Sequence, residues 1–172
     1  FFSSGPCPKR PGWSANAVEE LAYLGRSHRA KEPLQQIKTL IDLTGEVLIL
    51  PEGYKVAIVP GSDTGAFELL MWSLLGKNET TMLVWESFGN DWAEDAVDQL
   101  NLAACKVERA EYGDLPKLNE VSNNSDICFT WNGTTSGVRV PNSNWIEKNE
   151  ERIVLCDACL LYTSDAADDL LC

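Results

Sequence analysis

The chain has 172 residues, 44% of them hydrophobic and 23% charged, enough for one sizeable globular domain. A net charge of −12 argues against nucleic acid as a partner. No apolar run is long enough to span a bilayer, and Phe1-Phe2-Ser3-Ser4 is not a signal peptide, so a cytoplasmic protein with no membrane partner is expected. The missing initiator Met points to a clipped N-terminus. Of the six cysteines, Cys105, Cys128 and Cys156 fall in apolar strand-like runs, which favours buried thiols over disulfides or metal ligands. Charge is uneven: residues 1–38 hold six Lys or Arg against three Glu, a balance of +3 that leaves −15 elsewhere. One basic segment on an acidic chain suits a small anionic ligand as well as a solvated basic face.

In chain order, residues 1–12 are rich in Pro and Gly and form an extended entry. Ser14 is a candidate N-cap for a helix through Val18, Leu21 and Ala22, with Glu19 and Glu20 near its start. Gly25-Arg26-Ser27-His28-Arg29 interrupts it. A second helix is expected over about residues 33–48, with Ile37, Leu40, Ile41 and Leu48 facing inward, closed by Pro51-Glu52-Gly53.

The stretch that organises the chain comes next. A β-branched run over 55–59 ends at Pro60-Gly61, and Phe67, Leu70, Met71 and Leu74 then recur at the spacing of one buried helix face. The spacing predicts a strand, a tight turn and a helix from about Thr64. The first N–H groups of such a helix lack internal partners and lie at the positive end of its dipole, so Gly61 to Gly65 would offer donors to an anion such as phosphate. An ordinary capped helix fits the same residues, which match neither a Rossmann nor a Walker glycine pattern.

Further strands are expected at 81–85, 105–109, 126–130 and 152–156, the last ending on Asp157, with a helix after the first of them that buries Ala93, Ala96, Val97 and Leu100. Strand and helix alternation predicts an α/β fold, three layers αβα, with a mostly parallel sheet covered by helices on both faces. In open sheets of this kind ligands sit outside the carboxyl ends of the strands. Those ends are Gly61–Gly65, Glu86–Phe88, Thr130–Thr135 and Asp157. They supply donors, an aromatic ring, hydroxyls and a carboxylate, a set suited to a flat, phosphorylated, cationic ring.

Five separated motifs, Phe2-Ser3-Ser4-Gly5-Pro6, Arg26-Ser27-His28-Arg29-Ala30-Lys31, Pro60-Gly61-Ser62-Asp63-Thr64-Gly65, Trp85-Glu86-Ser87-Phe88-Gly89 and Thr130-Trp131-Asn132-Gly133-Thr134-Thr135-Ser136-Gly137-Val138, occur one after another in this order. In order and spacing they resemble the phosphoserine aminotransferase family, in the form found in alphaproteobacteria and their relatives, over residues 1 to about 158. The resemblance implies the N-terminal part of the large domain of a fold-type I transferase that uses pyridoxal 5′-phosphate as an electron sink. It implies that the backbone at Asp63 and Thr64 holds the cofactor phosphate, that Thr134 hydrogen-bonds the cofactor, and that Asp157 pairs with the pyridinium nitrogen. Phe88 or Trp92, one helical turn further on, would stack on the ring. Ser4 and Arg29 would grip the amino-acid carboxylate, and His28 and Lys31 would reach the substrate phosphate. No metal ligand is expected.

By the same resemblance, glutamate and 3-phosphohydroxypyruvate are the substrates, in serine and pyridoxine biosynthesis, and the enzyme is a homodimer. The Schiff-base lysine of the family has no counterpart in this chain, so no catalytic residue is assigned and the fragment itself is expected to be inactive. Residues 159–172, which open with Cys159-Leu160-Leu161-Tyr162-Thr163-Ser164-Asp165, read like a translated sequencing adapter and are set apart as a non-native tail. That leaves residues 1–50 as an N-terminal segment that contributes substrate-binding residues and 51–158 as a partial cofactor-binding domain. Two rivals remain: another small-substrate aminotransferase of the alanine–glyoxylate type, and a non-catalytic nucleotide-binding α/β domain.

Overall fold

A computed structural model of the chain describes residues 11–16, 19, 22, 25–27 and 29–159. The chain divides into two compact units, residues 1–58 and 59–172.

In the first unit, the helix expected from Ser14 is helical at Ala15, Asn16 and Glu19 and has ended by Ala22; Val18 and Leu21 lie outside the described residues. Helix α1, Lys31–Val47, follows an extended Ala30. Pro33 stands in its first turn, where a missing N–H costs nothing. Its end is closed by the Leu48 N–H on the Thr44 carbonyl at 3.0 Å and the Leu50 N–H on Gly45 at 3.0 Å. The apolar stripe is there, but Ile37, Leu40 and Leu48 are 45%, 54% and 43% exposed rather than buried. A 3.6-residue period tells which face is apolar and not what covers it.

Residues 55–59 form no strand. A β-branched run becomes a strand only with a neighbour to bond, and no described residue pairs with this one, so Ile58 is 59% exposed.

The second unit opens on helix α2, Ser62–Leu74, which buries Phe67 and Met71. Strand β1, Thr80–Val84, leads into helix α3, Ser87–Glu94, which continues as a π-helical turn over Asp95–Gln99. Strand β2 is Cys105–Arg109, β3 is Asp126–Thr130 and β4 is Val154–Asp157. The sheet is parallel throughout, in the order β2-β1-β3-β4, with Thr80 opposite both Cys105 and Asp126, and Thr130 opposite Asp157. The strand order therefore reverses between β1 and β3.

One sheet face buries Met82, Val84, Cys128 and Leu155 against Phe67, Met71, Trp92, Ala93 and Ala96. Each large apolar side chain contributes roughly 1.5–3 kcal/mol when fully buried. The π turn, closed by the Leu100 N–H on the Asp95 carbonyl at 2.8 Å, adds a residue to the helical repeat. It turns Val97, expected on the buried face, out to 43% exposure. The other sheet face buries Leu83, Trp85, Ile127 and Phe129 against Val140, Leu118, Trp145 and Ile146. These come from a short 3-10 turn, Leu118–Glu120, and from loops, so among the described residues helices cover only the first face. Cys128 is buried as expected, Cys105 half-buried, and Cys156 exposed, because it alternates with buried Leu155 on an outermost strand.

Candidate functional site

A pocket of about 140 Å³ lies at the carboxyl ends of β3 and β4, facing the first turns of α2 and α3, and is lined by Asp63, Thr64, Phe88, Trp92, Thr130, Asn132, Thr134, Asp157 and Cys159. All six cofactor-binding residues expected from the sequence meet in it.

Backbone conformation opens the α2 side. Gly61 is left-handed at φ 97°, Ser62 follows at φ 62°, and no side chain caps the helix. The first-turn N–H groups thus have no side-chain partner at the positive end of a 13-residue helix. Gly65 fits because a Cβ there would stand 2.9 Å from the Pro60 carbonyl oxygen, while its own N–H bonds Gly61 at 2.9 Å.

Across the pocket, Asp157 Oδ2 accepts from Trp92 Nε1 at 3.0 Å and Oδ1 accepts from the Cys159 N–H at 3.1 Å. The carboxylate is oriented by one donor on each oxygen and keeps further lone pairs for a ligand. The two aromatic candidates differ: Phe88 is 43% exposed at the pocket, whereas Trp92 is 5% exposed and packs on Phe67 with ring centroids 4.8 Å apart. Thr130 Oγ1 lies buried without a hydrogen-bond partner among the described residues.

Glu86 supports this arrangement, a role that sequence reasoning missed. The residue is 6% exposed, and its Oε1 accepts from the Gly89 N–H at 2.6 Å, capping α3. Its Oε2 accepts from Thr135 Oγ1 at 3.4 Å, and Ser87 Oγ bonds the same hydroxyl at 3.3 Å, which ties the helix start that carries Phe88 to the turn that carries Thr134. A carboxylate three residues before Gly89 was the available signal. Thr130 and Asn132 also line the pocket and were legible only as part of a strand end.

Ser4 and His28 lie outside the described residues. Arg29 and Lys31 belong to the first unit and are exposed, the Arg29 N–H donating to Ser27 Oγ at 3.1 Å. Among the described residues, no lysine lines the pocket. Cys156 and Cys159 stand at C-x-x-C spacing, yet no group of three metal-ligating side chains occurs among the described residues. A second cleft of about 360 Å³ beside β2 is lined in part by two ion pairs, Lys106 with Glu108 and Lys117 with Glu120. No described helix is long and apolar enough to cross a membrane.

Solved structures share this architecture. A phosphoserine aminotransferase from Cytophaga hutchinsonii matches with a TM-score of 0.68 at 26% identity, covering 82% of this chain and 39% of that one. A PLP-bound phosphoserine aminotransferase from Trichomonas vaginalis matches in fold, with a TM-score of 0.57 at 14% identity over 77% and 38% of the two chains. The fold is therefore that of the fold-type I aminotransferases. In sequence, the chain is 50% identical over 157 residues to the phosphoserine aminotransferases of Methanosarcina barkeri and Methanosarcina mazei, which is 91% of this chain and 42% of each relative. The Corynebacterium glutamicum enzyme is 25% identical over 141 residues. No family model matches. Over the residues matched, the chain is similar to the phosphoserine aminotransferases, and it spans about two fifths of the length of these curated relatives.

Proposed function

We propose that the protein is a phosphoserine aminotransferase, in which glutamate gives its amino group and 3-phosphohydroxypyruvate receives it to become phosphoserine, and that this chain carries most of the pyridoxal 5′-phosphate site. The observation that carries the reading is the convergence of Asp63, Thr64, Phe88, Thr134 and Asp157 on one pocket in a chain 50% identical to such enzymes. The donor set fits the cofactor. Free N–H groups at the start of α2 suit its phosphate, the Asp157 carboxylate suits a protonated ring nitrogen, and the orphaned Thr130 hydroxyl and the Thr134 side chain offer polar partners at the ring's edge. The cofactor supplies an electron sink for the substrate's α-carbon. The chain's own residues would bind and orient it: Asp63 and Thr64 through their backbone, Phe88 or Trp92 by stacking, Asp157 by holding a proton on the ring nitrogen.

Ser4, Arg29, His28 and Lys31 would bind the substrates' carboxylate and phosphate. The lysine that links to the cofactor would come from elsewhere in the whole protein. A place in serine and pyridoxine biosynthesis, a homodimer and a cytoplasmic location complete the proposal. Purified full-length protein should turn over glutamate with 3-phosphohydroxypyruvate at least about 100-fold more efficiently than alanine with glyoxylate, a margin of roughly 2.7 kcal/mol in transition-state binding. A preference for glyoxylate would favour the rival aminotransferase.

A further inference from the structure

Two helix starts face the cofactor pocket, and the difference in how they are capped carries an inference that rests on the cofactor reading above. Helix α2 brings Asp63 and Thr64 to the pocket, and α3 brings Phe88. Each start is the positive end of a helix, where an anion meets backbone donors. In α2 the N-cap position is held by Gly61, and no side chain caps the first turn, although Asp63 stands in it. In α3 that position is held by Glu86, which is 6% exposed and whose Oε1 accepts from the Gly89 N–H at 2.6 Å. We propose that Glu86 is a positioning residue that sets which way round the cofactor lies: by closing the start of α3 it leaves the start of α2 to the phosphate and the opposite end of the pocket to the ring nitrogen.

The first turn of α3 has few donors left. The Ser87 N–H donates to Thr135 Oγ1 at 3.4 Å, and that hydroxyl donates to Glu86 Oε2 at 3.4 Å. The Asn90 N–H bonds the Glu86 carbonyl at 3.0 Å. A phosphate placed there would have to break these bonds and lie beside a charge of its own sign. Ser87 precedes Phe88 and Thr135 follows Thr134, so the bonds that deny this helix start to an anion also hold two pocket residues in place. At the ends of β3 and β4, Thr130 stands in register with Asp157, and its hydroxyl, 3% exposed, has no partner among the described residues. A polar ring edge suits that end, because a buried hydroxyl needs a partner.

The test uses the whole 172-residue chain, labelled with ¹⁵N on its amides, and inorganic phosphate as the probe. In the unaltered chain, phosphate should move the amide signals of Asp63, Thr64 and Gly65 and leave those of Phe88 and Gly89 in place. Glu86→Leu fills much of the same space but has no acceptor, so it should take a second phosphate at Phe88 and Gly89, about doubling the phosphate bound per chain at saturation. Glu86→Gln keeps an oxygen for the Gly89 N–H and should stay at the single α2 site, a rescue that a loss of packing alone would not give. Glu86→Ala repeats the test if the Leu variant does not fold. A folded Leu or Ala variant that still binds phosphate at α2 alone overturns the proposal, even if its stability has fallen, and so does a second phosphate in Glu86→Gln. If phosphate leaves the signals of Asp63 to Gly65 unmoved in the unaltered chain, the cofactor reading fails first and this proposal falls with it.

Discussion

Gly133 shows how tightly single residues are fitted around the pocket. A Cβ built there would stand 2.6 Å from Glu86 Cγ and 3.1 Å from Trp85 Nε1, and would collide with Ser136 Oγ. Glu86 has little freedom to yield, since its carboxylate is pinned by the Gly89 N–H at 2.6 Å, and Trp85 Nε1 is held on the Val138 carbonyl at 3.2 Å. Gly133→Ala should therefore destabilise the chain by about 1–3 kcal/mol, read as a lower midpoint in urea with an unchanged slope. An unshifted midpoint would mean that the turn accommodates the methyl group and that the close fit carries no energy. Glycine's place in the Asn132-Gly133-Thr134 motif was visible in the sequence, but the reason was not. The side chains that exclude a Cβ come from residues 85, 86 and 136, and only the fold brings them together.

Among the elements, α3 and its π-helical extension bear a measurable electrostatic cost. Burial, and after it the charges of Glu68, Asp91 and Glu94, raise the Asp95 carboxyl above its ordinary value. A carboxyl raised in the folded state keeps its proton to higher pH there than in the unfolded chain. Its contribution is thus most favourable below the ordinary value of 3.8 and is lost as pH rises through the raised one. Asp95→Asn should stabilise the chain at pH 7, by no more than about 1 kcal/mol for a group only partly withdrawn from solvent. The gain should vanish in melting curves near pH 3 and shrink in high salt, and a loss of stability at pH 7 would contradict the account. Periodicity located α1, α2, α3 and β1 to β4 to within a few residues, because each combines a clear repeat with turn residues at its ends. It failed at residues 55–59 and at Val97 for two reasons. A strand is defined by its neighbour, and a π turn shifts the helical phase without leaving a mark in composition.

At the scale of the whole molecule, parallel alternation in the sequence implied that strand ends gather a site, and the order β2-β1-β3-β4 places the reversal of strand order beside the pocket. Strand order itself is not written in local sequence. What was legible was the chemistry of the segments that follow the apolar runs, with Asp63, Thr64, Phe88, Thr134 and Asp157 on them, although the run before Asp63 forms no strand. The contact between Trp92 and Phe67 was not, because the two rings lie 25 positions apart in the chain and only the fold brings them together. The central claim is that this pocket holds pyridoxal 5′-phosphate with its ring nitrogen on Asp157. Equilibrium binding of pyridoxine 5′-phosphate to the 172-residue chain, with adenosine monophosphate as competitor, tests it most directly. The account predicts one site that adenosine monophosphate does not contest, weakened about 10- to 100-fold in Asp157→Ala, the loss of one charge-assisted hydrogen bond. Binding that is indifferent to Asp157, or displaced by the nucleotide, would contradict it.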